Sequence, residues 1–191
     1  MNRAIVQRPL SYVRRLESRC TDDISLVVIH CTELPDLPMA RVFGEKVHHP
    51  KTHTGNCGHF YIDRDGSVEQ WVPLSRIAHH VRGFNRQSIG IELVNDGRYP
   101  DWFFSNHQQM KEPYPEAQIG SLLTLLNHLQ TSLGGLEFIA GHEDLDTGMV
   151  VSEDSSDIEI RRKLDPGPLF PWPDIMEKMT LRRYPAKDHE N

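Results

Sequence analysis

The sequence lacks an excess of positive charge. Its 191 residues contain 21 Lys and Arg against 27 Asp and Glu, which gives a formal net charge of -6 at pH 7. Proteins that bind nucleic acid or anionic lipid without specificity rely on a positive surface. We therefore expect neither nucleic acid nor a membrane surface among the partners of this chain.

Long apolar runs are also missing. No stretch approaches the roughly 18 consecutive apolar residues that a membrane-spanning helix requires. The first 19 residues carry scattered charges and lack the apolar core of a signal peptide. The sequence therefore predicts a protein of the cytoplasm.

Cysteine is scarce. Cys20, Cys31 and Cys57 make an odd number and form no CxxC motif, which argues against a disulfide scaffold and suits a reducing compartment. Cys31 directly follows His30. Successive side chains of a strand point to opposite faces, so these two residues are not a local Cys–His catalytic pair.

Short apolar segments predict a sheet. Strands are expected at residues 25–30 (SLVVIH), 88–94 (SIGIELV) and 136–142 (LEFIAGH), and residues 58–72 read as two strands joined by a turn at Asp65-Gly66. In the second of these segments Ile89, Ile91 and Leu93 share one face, and Gly90 and Glu92 share the other.

One helix is clear from its periodicity. It begins near Pro115 and ends at Gly134-Gly135, and its apolar residues recur at helical spacing: Ile119, Leu122, Leu123, Leu126, Leu129 and Leu133. A final helix is expected around residues 175–183. Strands interleaved with helices predict a single α/β domain with a central mixed sheet flanked by helices. We expect a lead segment at residues 1–24, the domain at 25–183, a tail at 184–191, and a monomer.

Histidine is abundant, with 11 residues, and two predicted strands end in one: His30 and His142. Strand ends are where α/β folds present functional groups. A carboxylate, Asp165, stands before Pro166-Gly167-Pro168. Two imidazoles and one carboxylate with a fourth position open are typical of catalytic zinc. A single histidine at a strand end is more often a polar residue satisfied within the fold than a ligand, and the spacing of these three residues alone does not establish a metal site.

Five segments resemble a known superfamily. They are VVIHCTE, GHFYIDRDGSVEQWVP, AHHVRGFNRQSIGIELVN, GHEDL and KLDPGPLFPW, in this order. Together, over about residues 26–172, they resemble the zinc-dependent N-acetylmuramoyl-L-alanine amidases, a superfamily that includes phage lysozyme-amidases and peptidoglycan recognition proteins. The Asp within KLDPGP is most similar to the cytoplasmic AmpD-type amidases, which act on 1,6-anhydro-muropeptides.

The resemblance implies a ligand set and two catalytic groups. His30, His142 and Asp165 would bind one zinc ion per chain. Glu92 matches the general acid/base of the family, and Lys163 matches the residue that stabilises the oxyanion. From the residues alone, Glu92 could instead be a structural carboxylate paired with an Arg, and Lys163 could be solvated charge within an RRK run.

The sequence contains other histidines, and one asparagine, for which a role is expected. The resemblance puts His80 and Asn85 on the substrate side of the cleft. His59 is expected to be a structural strand residue. His48, His49 and His53 form either a loop cluster or an adventitious metal site.

The chain departs from the family between the second and third ligands. His142 and Asp165 are 23 positions apart, and the segment Glu143 to Glu159 holds seven acidic residues and no basic one. This insert is expected to form a loop or a lid beside the cleft, where its negative charge would disfavour anionic ligands. Glu143, Asp144 and Asp146 compete for the third ligand position, and the Pro-Gly-Pro context favours Asp165.

The resemblance implies hydrolysis of the amide between N-acetylmuramic acid and L-alanine of soluble anhydro-muropeptides, in cell-wall recycling. Three alternatives stay open. The first is a lytic amidase of phage or exported origin that acts on intact peptidoglycan. The second is a muropeptide-binding or regulatory protein without catalysis. The third is an ordinary α/β protein without a metal.

Overall fold

A computed structural model describes residues 4–184. Within this range the chain forms nine strands and four α-helices: β1 (Val6–Gln7), β2 (Leu26–Cys31), α1 (Leu37–Glu45), β3 (Phe60–Ile62), β4 (Val68–Gln70), β5 (Ser88–Leu93), α2 (Glu116–Ser132), β6 (Phe138–Gly141), α3 (His142–Leu145), β7 (Met149–Val151), β8 (Glu159–Arg161), α4 (Trp172–Lys178) and β9 (Arg182–Arg183). No helix in this range has the length and apolar character needed to cross a membrane.

Seven of the strands form one mixed sheet in the order β1-β4-β3-β5-β2-β6-β9. The five strands from β3 to β9 run parallel, whereas β4 is antiparallel to β3 through the predicted hairpin. Gly66 in that turn has φ +83°, a conformation that favours glycine. The prediction of a single α/β domain around a mixed sheet is confirmed.

Helix α2 covers one face of this sheet. Its buried leucines, Leu122, Leu125, Leu126 and Leu129, pack in one core with Val27, Ile29, Ile89, Ile91 and Ile139. Burial of each such side chain stabilises the fold by about 1.5–3 kcal/mol. The odd-numbered residues of β2 and β5 thus face α2, and the even-numbered residues, among them His30 and Glu92, face the other side. This alternation agrees with the prediction for β5.

The predicted lead segment takes part in a second core on that other side. Leu10, Tyr12 and Leu16 are buried with Ala40 of α1 and with Trp71. The division of the chain at residue 24 stays a prediction. The predicted tail, 184–191, lies outside the described residues except for Tyr184, which packs against two phenylalanines.

Three boundaries differ from the predictions. Strand β6 ends at Gly141, and His142 begins the short helix α3. Helix α4 lies at Trp172–Lys178, earlier than expected, and an edge strand follows it. The acidic insert contains the two-stranded ribbon β7–β8. Each difference arises in a short element, either a helix of one to two turns or a strand of two to three residues. Hydrophobic periodicity carries little information over so few residues.

Candidate active site

Two histidines and one aspartate meet at the carboxyl ends of the central strands. Strand register places Ile29 beside Gly141, so His30 and His142 follow at neighbouring positions. The Nδ1 atoms of the two histidines lie 3.1 Å apart, and Asp165 Oδ2 lies 2.9 Å from His30 Nδ1 and 3.1 Å from His142 Nδ1. All three residues are buried. Among residues 4–184 they form the one group with the spacing of metal ligands.

The group fits a cation. Two ligands bonded at about 2.0–2.1 Å to one tetrahedral ion lie roughly 3.3 Å apart, which is close to the spacings seen here. Asp165 Oδ1 is buried and has no hydrogen-bond partner, so part of this carboxylate lacks a compensating contact within the described part of the protein. Unpaired charge of this kind is costly to bury unless an ion or a partner neutralises it.

Protonation also favours metal ligation. Burial lowers the pKa of His30 to about 4, so its imidazole is neutral at pH 7. Burial alone would raise the pKa of Asp165, but the adjoining histidines and Lys163 together hold it well below its usual range. A metal ion requires neutral imidazole and ionised carboxylate. His30 and Asp165 are therefore in the required state at neutral pH.

The loop that carries Asp165 is held against the loop that carries His142. The Glu143 N–H donates to the Asp165 carbonyl at 2.9 Å. The Tyr114 hydroxyl donates to the Pro166 carbonyl at 2.7 Å. A Cβ at Gly141 would lie 2.8 Å from Pro166 Cδ, so only glycine allows this approach. The Pro-Gly-Pro segment thus fixes the position of the aspartate.

Two of the three competing acidic residues have other partners. Asp144 accepts the Gly141 N–H at 2.7 Å and pairs with Arg183. Asp146 pairs with Arg162, and its Oδ2 lies 3.9 Å from His142 Nε2. Glu143 is half-buried, and burial raises the pKa of its carboxyl to about 7. None of these three joins the ligand group, which agrees with the preference for Asp165.

Glu92 stands next to the ligand group. Register pairs it with His30 on the neighbouring strand, so both side chains lie on the cleft face. Burial, and then the charge of Asp165, raises the pKa of its carboxyl to about 8, although Lys163 acts in the opposite direction. Among residues 4–184 no Arg pairs with this carboxylate and no hydrogen bond to it is formed. The alternative of a structural Arg pair therefore finds no support.

Glycine at position 58 makes room for Glu92. A Cβ there would lie 2.7 Å from Glu92 Cγ. We expect Gly58→Ala to displace the carboxyl while the ligand group, which a Cβ at position 58 does not contact, keeps its metal. Turnover should fall at least about 100-fold, the lower end of what a lost acid/base group costs.

The control for this change is Gly120→Ala. Position 120 lies in α2, where an added methyl group would meet no heavy atom within 4 Å. The substitution should therefore leave turnover unchanged and stabilise the helix by about 0.5–1 kcal/mol. Steady-state kinetics and metal content measured on both variants test the prediction. Wild-type kinetics for Gly58→Ala would show that the Glu92 side chain tolerates a methyl group.

The raised pKa of Glu92 has a consequence for stability. In zinc-free protein the folded state keeps a proton that the unfolded chain releases above its ordinary pKa of 4.5. The contribution of Glu92 to the free energy of unfolding is therefore complete below about pH 4.5 and declines, by at most about 1.4 kcal/mol per pH unit, until about pH 8. Glu92→Gln removes this decline.

We therefore expect zinc-free Glu92→Gln to gain stability relative to wild type as the pH rises through this window. Urea unfolding of both proteins at several pH values between about 4.5 and 8.5 measures the difference. Parallel stability curves would mean that the Glu92 carboxyl has an ordinary pKa in the folded protein.

Lys163 lines the same cleft as Glu92. The cleft has a volume of about 810 Å³, and Lys163 is half-buried in its wall together with His30, His142 and Asp165. Its positive charge lowers the pKa of both Glu92 and Asp165. Lys163 is thus part of the cleft wall and near enough to act on both carboxyls, in contrast to a fully solvated member of a charged run.

Two residues predicted on the substrate side have partners within the protein. Both ring nitrogens of His80 are engaged, Nδ1 with His30 and Nε2 with Ser88. Asn85 Oδ1 accepts the N–H groups of His80 and Val81 at 3.0 and 2.8 Å. Both line the cleft. A contact of either residue with substrate stays a prediction.

The remaining histidines lie away from the ligand group. His59 is fully buried, and its Nδ1 accepts the Gly90 N–H at 3.1 Å, which agrees with a structural role. His49 stacks edge-to-face on His79 and lies 3.0 Å from Asn56 Oδ1. Within residues 4–184, His48, His49 and His53 do not form a metal-ligand group.

A buried ion pair near the site was not predicted from the sequence. Arg98 donates to both carboxylate oxygens of Glu33 at 2.6 and 2.9 Å, and both residues line the cleft. Arg98 also donates to the carbonyls of Arg161 and Arg162 at 3.2 Å. It therefore ties the end of β2 to the segment that precedes Lys163. A lone Arg in a turn-rich segment gives no sequence signal for such a role.

The acidic insert lies beside the cleft, as expected. Glu153 N–H donates to the carbonyl of Phe103, and Asp154 accepts bonds from the N–H and hydroxyl of Ser105. Phe103 and Trp102 line the cleft on this side. The insert thus supports an aromatic wall of the site.

Comparison with known proteins identifies relatives of this sequence. The model of the N-acetylmuramoyl-L-alanine amidase family (Amidase_2) matches residues 21–168. The N-acetylmuramoyl-L-alanine amidase AmiD of Escherichia coli (strain K12) is 33% identical over 119 residues, 58% of this chain and 37% of AmiD. The 1,6-anhydro-N-acetylmuramyl-L-alanine amidase AmpD of Haemophilus influenzae is 29% identical over 172 residues, 78% of this chain and 79% of AmpD.

Phage proteins and solved structures are also similar. The endolysin of Escherichia phage T7 is 27% identical over 130 residues, 68% of this chain and 82% of the endolysin. A crystal structure of AmpD has a TM-score of 0.62 at 25% identity and covers 92% of this chain and 94% of its own. The amidase LysC of Clostridium intestinale URNW also has a TM-score of 0.62, at 21% identity, with 94% and 99% covered.

The extent of these matches differs among the relatives. The chain spans little more than a third of AmiD but about four fifths of AmpD and of the T7 endolysin. The family match includes both histidines and the aspartate of the ligand group, as well as Glu92 and Lys163. Since this match covers most of the sequence, the protein belongs to the N-acetylmuramoyl-L-alanine amidase family.

Proposed function

We propose that the protein hydrolyses the amide bond between N-acetylmuramic acid and L-alanine in soluble 1,6-anhydro-muropeptides, and that it does so in the cytoplasm during cell-wall recycling. The observation that carries this proposal is the ligand group of two histidines and one aspartate with Glu92 and Lys163 in the same cleft. The similarity to AmpD over about four fifths of both chains supports the substrate.

The metal in this proposal is one zinc ion per chain. Two imidazole nitrogens and one carboxylate oxygen are a donor set that zinc favours, and three protein ligands leave a fourth position open. His30 Nδ1, His142 Nδ1 and Asp165 Oδ2 would hold the ion. When bound, zinc supplies a Lewis acid that polarises the amide carbonyl and lowers the pKa of a coordinated water toward about 7.

Glu92 moves the proton that the reaction requires. Water adds its oxygen to the lactyl carbonyl, and the amide nitrogen must gain a proton before it leaves as the amine of L-alanine. A carboxyl group with a pKa near neutrality takes and returns a proton efficiently at pH 7. The half-buried position of Glu92 raises its pKa to about 8, and its place beside His30 supports this role.

Lys163 would stabilise the negative charge that develops on the carbonyl oxygen. An ammonium group cannot ligate zinc, so its contribution is electrostatic. A single well-placed donor to an oxyanion contributes about 3–4 kcal/mol to the transition state. The half-buried position of Lys163 in the cleft wall reduces screening by water and suits this role.

A second candidate function is lysis of intact peptidoglycan. The T7 endolysin is matched over 82% of its length, so this chain matches an endolysin about as completely as it matches AmpD. The substrate distinguishes the two functions, because a recycling enzyme acts on released fragments and a lytic enzyme on the polymer.

Mass spectrometry of products tests the proposal. The purified protein is incubated in parallel with 1,6-anhydro-N-acetylmuramyl peptides and with intact sacculi. We expect the anhydro-sugar and a free peptide from the first substrate and little release from the second. Release mainly from sacculi would establish the lytic function instead, and the absence of products from both would contradict catalysis.

A further inference from the structure

A chain of hydrogen bonds lies behind the His30 ligand. His30 Nε2, the nitrogen that faces away from the ligand group, lies 3.0 Å from His80 Nδ1. His80 Nε2 lies 3.1 Å from Ser88 Oγ. The Ser88 hydroxyl donates to the Phe84 carbonyl at 2.8 Å. The chain therefore ends on an acceptor that has no proton to give.

The terminal carbonyl sets the direction of every bond in this chain. Because the Ser88 hydroxyl gives its one hydrogen to Phe84, Ser88 Oγ can only accept from His80 Nε2–H. A neutral imidazole carries one proton, so His80 Nδ1 is then an acceptor. It receives the proton of His30 Nε2, and His30 Nδ1 is left with a free lone pair directed at the ligand group.

We infer that His80 is a positioning residue that holds His30 in the Nε2–H tautomer and so presents its Nδ1 lone pair to the metal. The inference rests on the proposed zinc site. Outer-shell acceptors of this type fix both the tautomer and the orientation of a ligating histidine. The role differs from the substrate contact that the sequence predicted for His80.

The position of the His80 ring is itself fixed. Asn85 holds the backbone N–H of His80. The ring lies against the Cα of Gly90, where a Cβ would come within 2.6 Å of His80 Cγ. It meets the His30 ring edge-on, with centroids 5.2 Å apart at 88°. The acceptor is thus built into the fold and does not depend on a mobile side chain.

The other histidine ligand has no equivalent support among the described residues. The outer nitrogen of His142, Nε2, lies 3.9 Å from Asp146 Oδ2, beyond hydrogen-bonding distance. The orientation of the ligand group consequently depends more strongly on the chain of hydrogen bonds behind His30. Loss of the His80 acceptor should weaken zinc binding by about 10- to 100-fold.

Two substitutions of similar shape separate the acceptor from the packing. In His80→Asn the amide oxygen can occupy the place of Nδ1 and accept from His30. In His80→Leu a side chain of similar size has no acceptor. Zinc affinity is measured for the wild type and both variants by competition with a chelator, and thermal unfolding of the zinc-free proteins reports on the fold. Ser88→Ala serves as an independent variant that keeps both imidazoles.

We expect His80→Leu to bind zinc about 10- to 100-fold more weakly than wild type and His80→Asn to recover most of this loss, and we expect Ser88→Ala to weaken binding measurably, by about 2- to 10-fold. Equal affinities for the Leu and Asn variants would overturn the inference while the zinc site itself stands. If the Leu variant does not fold, unchanged affinity in Ser88→Ala overturns it. A wild-type protein that binds no zinc overturns both the inference and the proposed metal site.

Discussion

Asp165→Asn should strip the protein of zinc. Asparagine has nearly the shape of aspartate, so the Pro-Gly-Pro loop and its contacts to Tyr114 and Glu143 stay in place. The change removes the one negative charge among the three ligands. We expect zinc affinity to fall by more than about 100-fold, since loss of an outer-shell partner alone costs about 10- to 100-fold. Hydrolysis should fall with it.

The insert provides matched controls. Asp144→Asn removes the negative charge that pairs with Arg183, and Asp146→Asn removes the negative charge that pairs with Arg162. Neither removes a member of the ligand group, so both should keep nearly wild-type zinc. Metal analysis of protein purified without a metal-affinity tag ranks the three variants. A ranking in which Asp146→Asn loses more zinc than Asp165→Asn would move the third ligand into the insert.

Glu92→Gln should lose turnover and keep zinc. Glutamine fits the same place on β5 but cannot take a proton from water or return one to the leaving amine. We expect turnover to fall by about 100- to 10,000-fold, the range attributed to general acid–base catalysis. The substrate affinity and the zinc content should change little, because the carboxylate lies beside the ligands and is not one of them.

Glu143→Gln is the matched control for this variant. Its carboxyl also has a raised pKa, about 7, yet Glu143 is not among the residues that line the cleft. Turnover close to wild type in Glu143→Gln, beside a large loss in Glu92→Gln, would separate proton transfer from a general effect of buried charge. Wild-type turnover in Glu92→Gln across the pH range would remove Glu92 from the mechanism.

Periodicity predicted the elements that carry the core. The β-branched run at Leu26–Cys31 and the alternating residues of Ser88–Leu93 became adjacent parallel strands, and the leucines of α2 became the layer that covers them. These segments are buried on one or both sides, so the positions of their apolar residues indicate directly which faces are buried. The same alternation placed Glu92 on the face opposite the core.

Several short elements were not predicted from the sequence. Helix α1 has an Asp36 cap that accepts the Met39 N–H and a proline in its first turn, but only two of its residues are buried. The strands of the β7–β8 ribbon are three residues long and largely exposed. Few buried side chains leave little pattern in the sequence, so propensity and tertiary packing decide these segments instead.

The ligand group could be proposed from the sequence only through resemblance. His30, His142 and Asp165 are far apart in the chain, and the register that joins β2 to β6 brings the histidines together. The choice between Asp165 and the insert carboxylates depends on which acids already have Arg partners, and this follows from three-dimensional contacts alone. The Glu33–Arg98 pair is hidden from sequence for the same reason.

Isotope tracing tests the central claim most directly. The protein is loaded with zinc and incubated with a 1,6-anhydro-N-acetylmuramyl peptide in water enriched in the heavy oxygen isotope, and the products are weighed by mass spectrometry. The account predicts that the label enters the lactyl carboxylate of the sugar fragment and that an unlabelled peptide is released with a free L-alanine amine. Cleavage at any other bond, label in the peptide, or no cleavage by the zinc-loaded protein would contradict it.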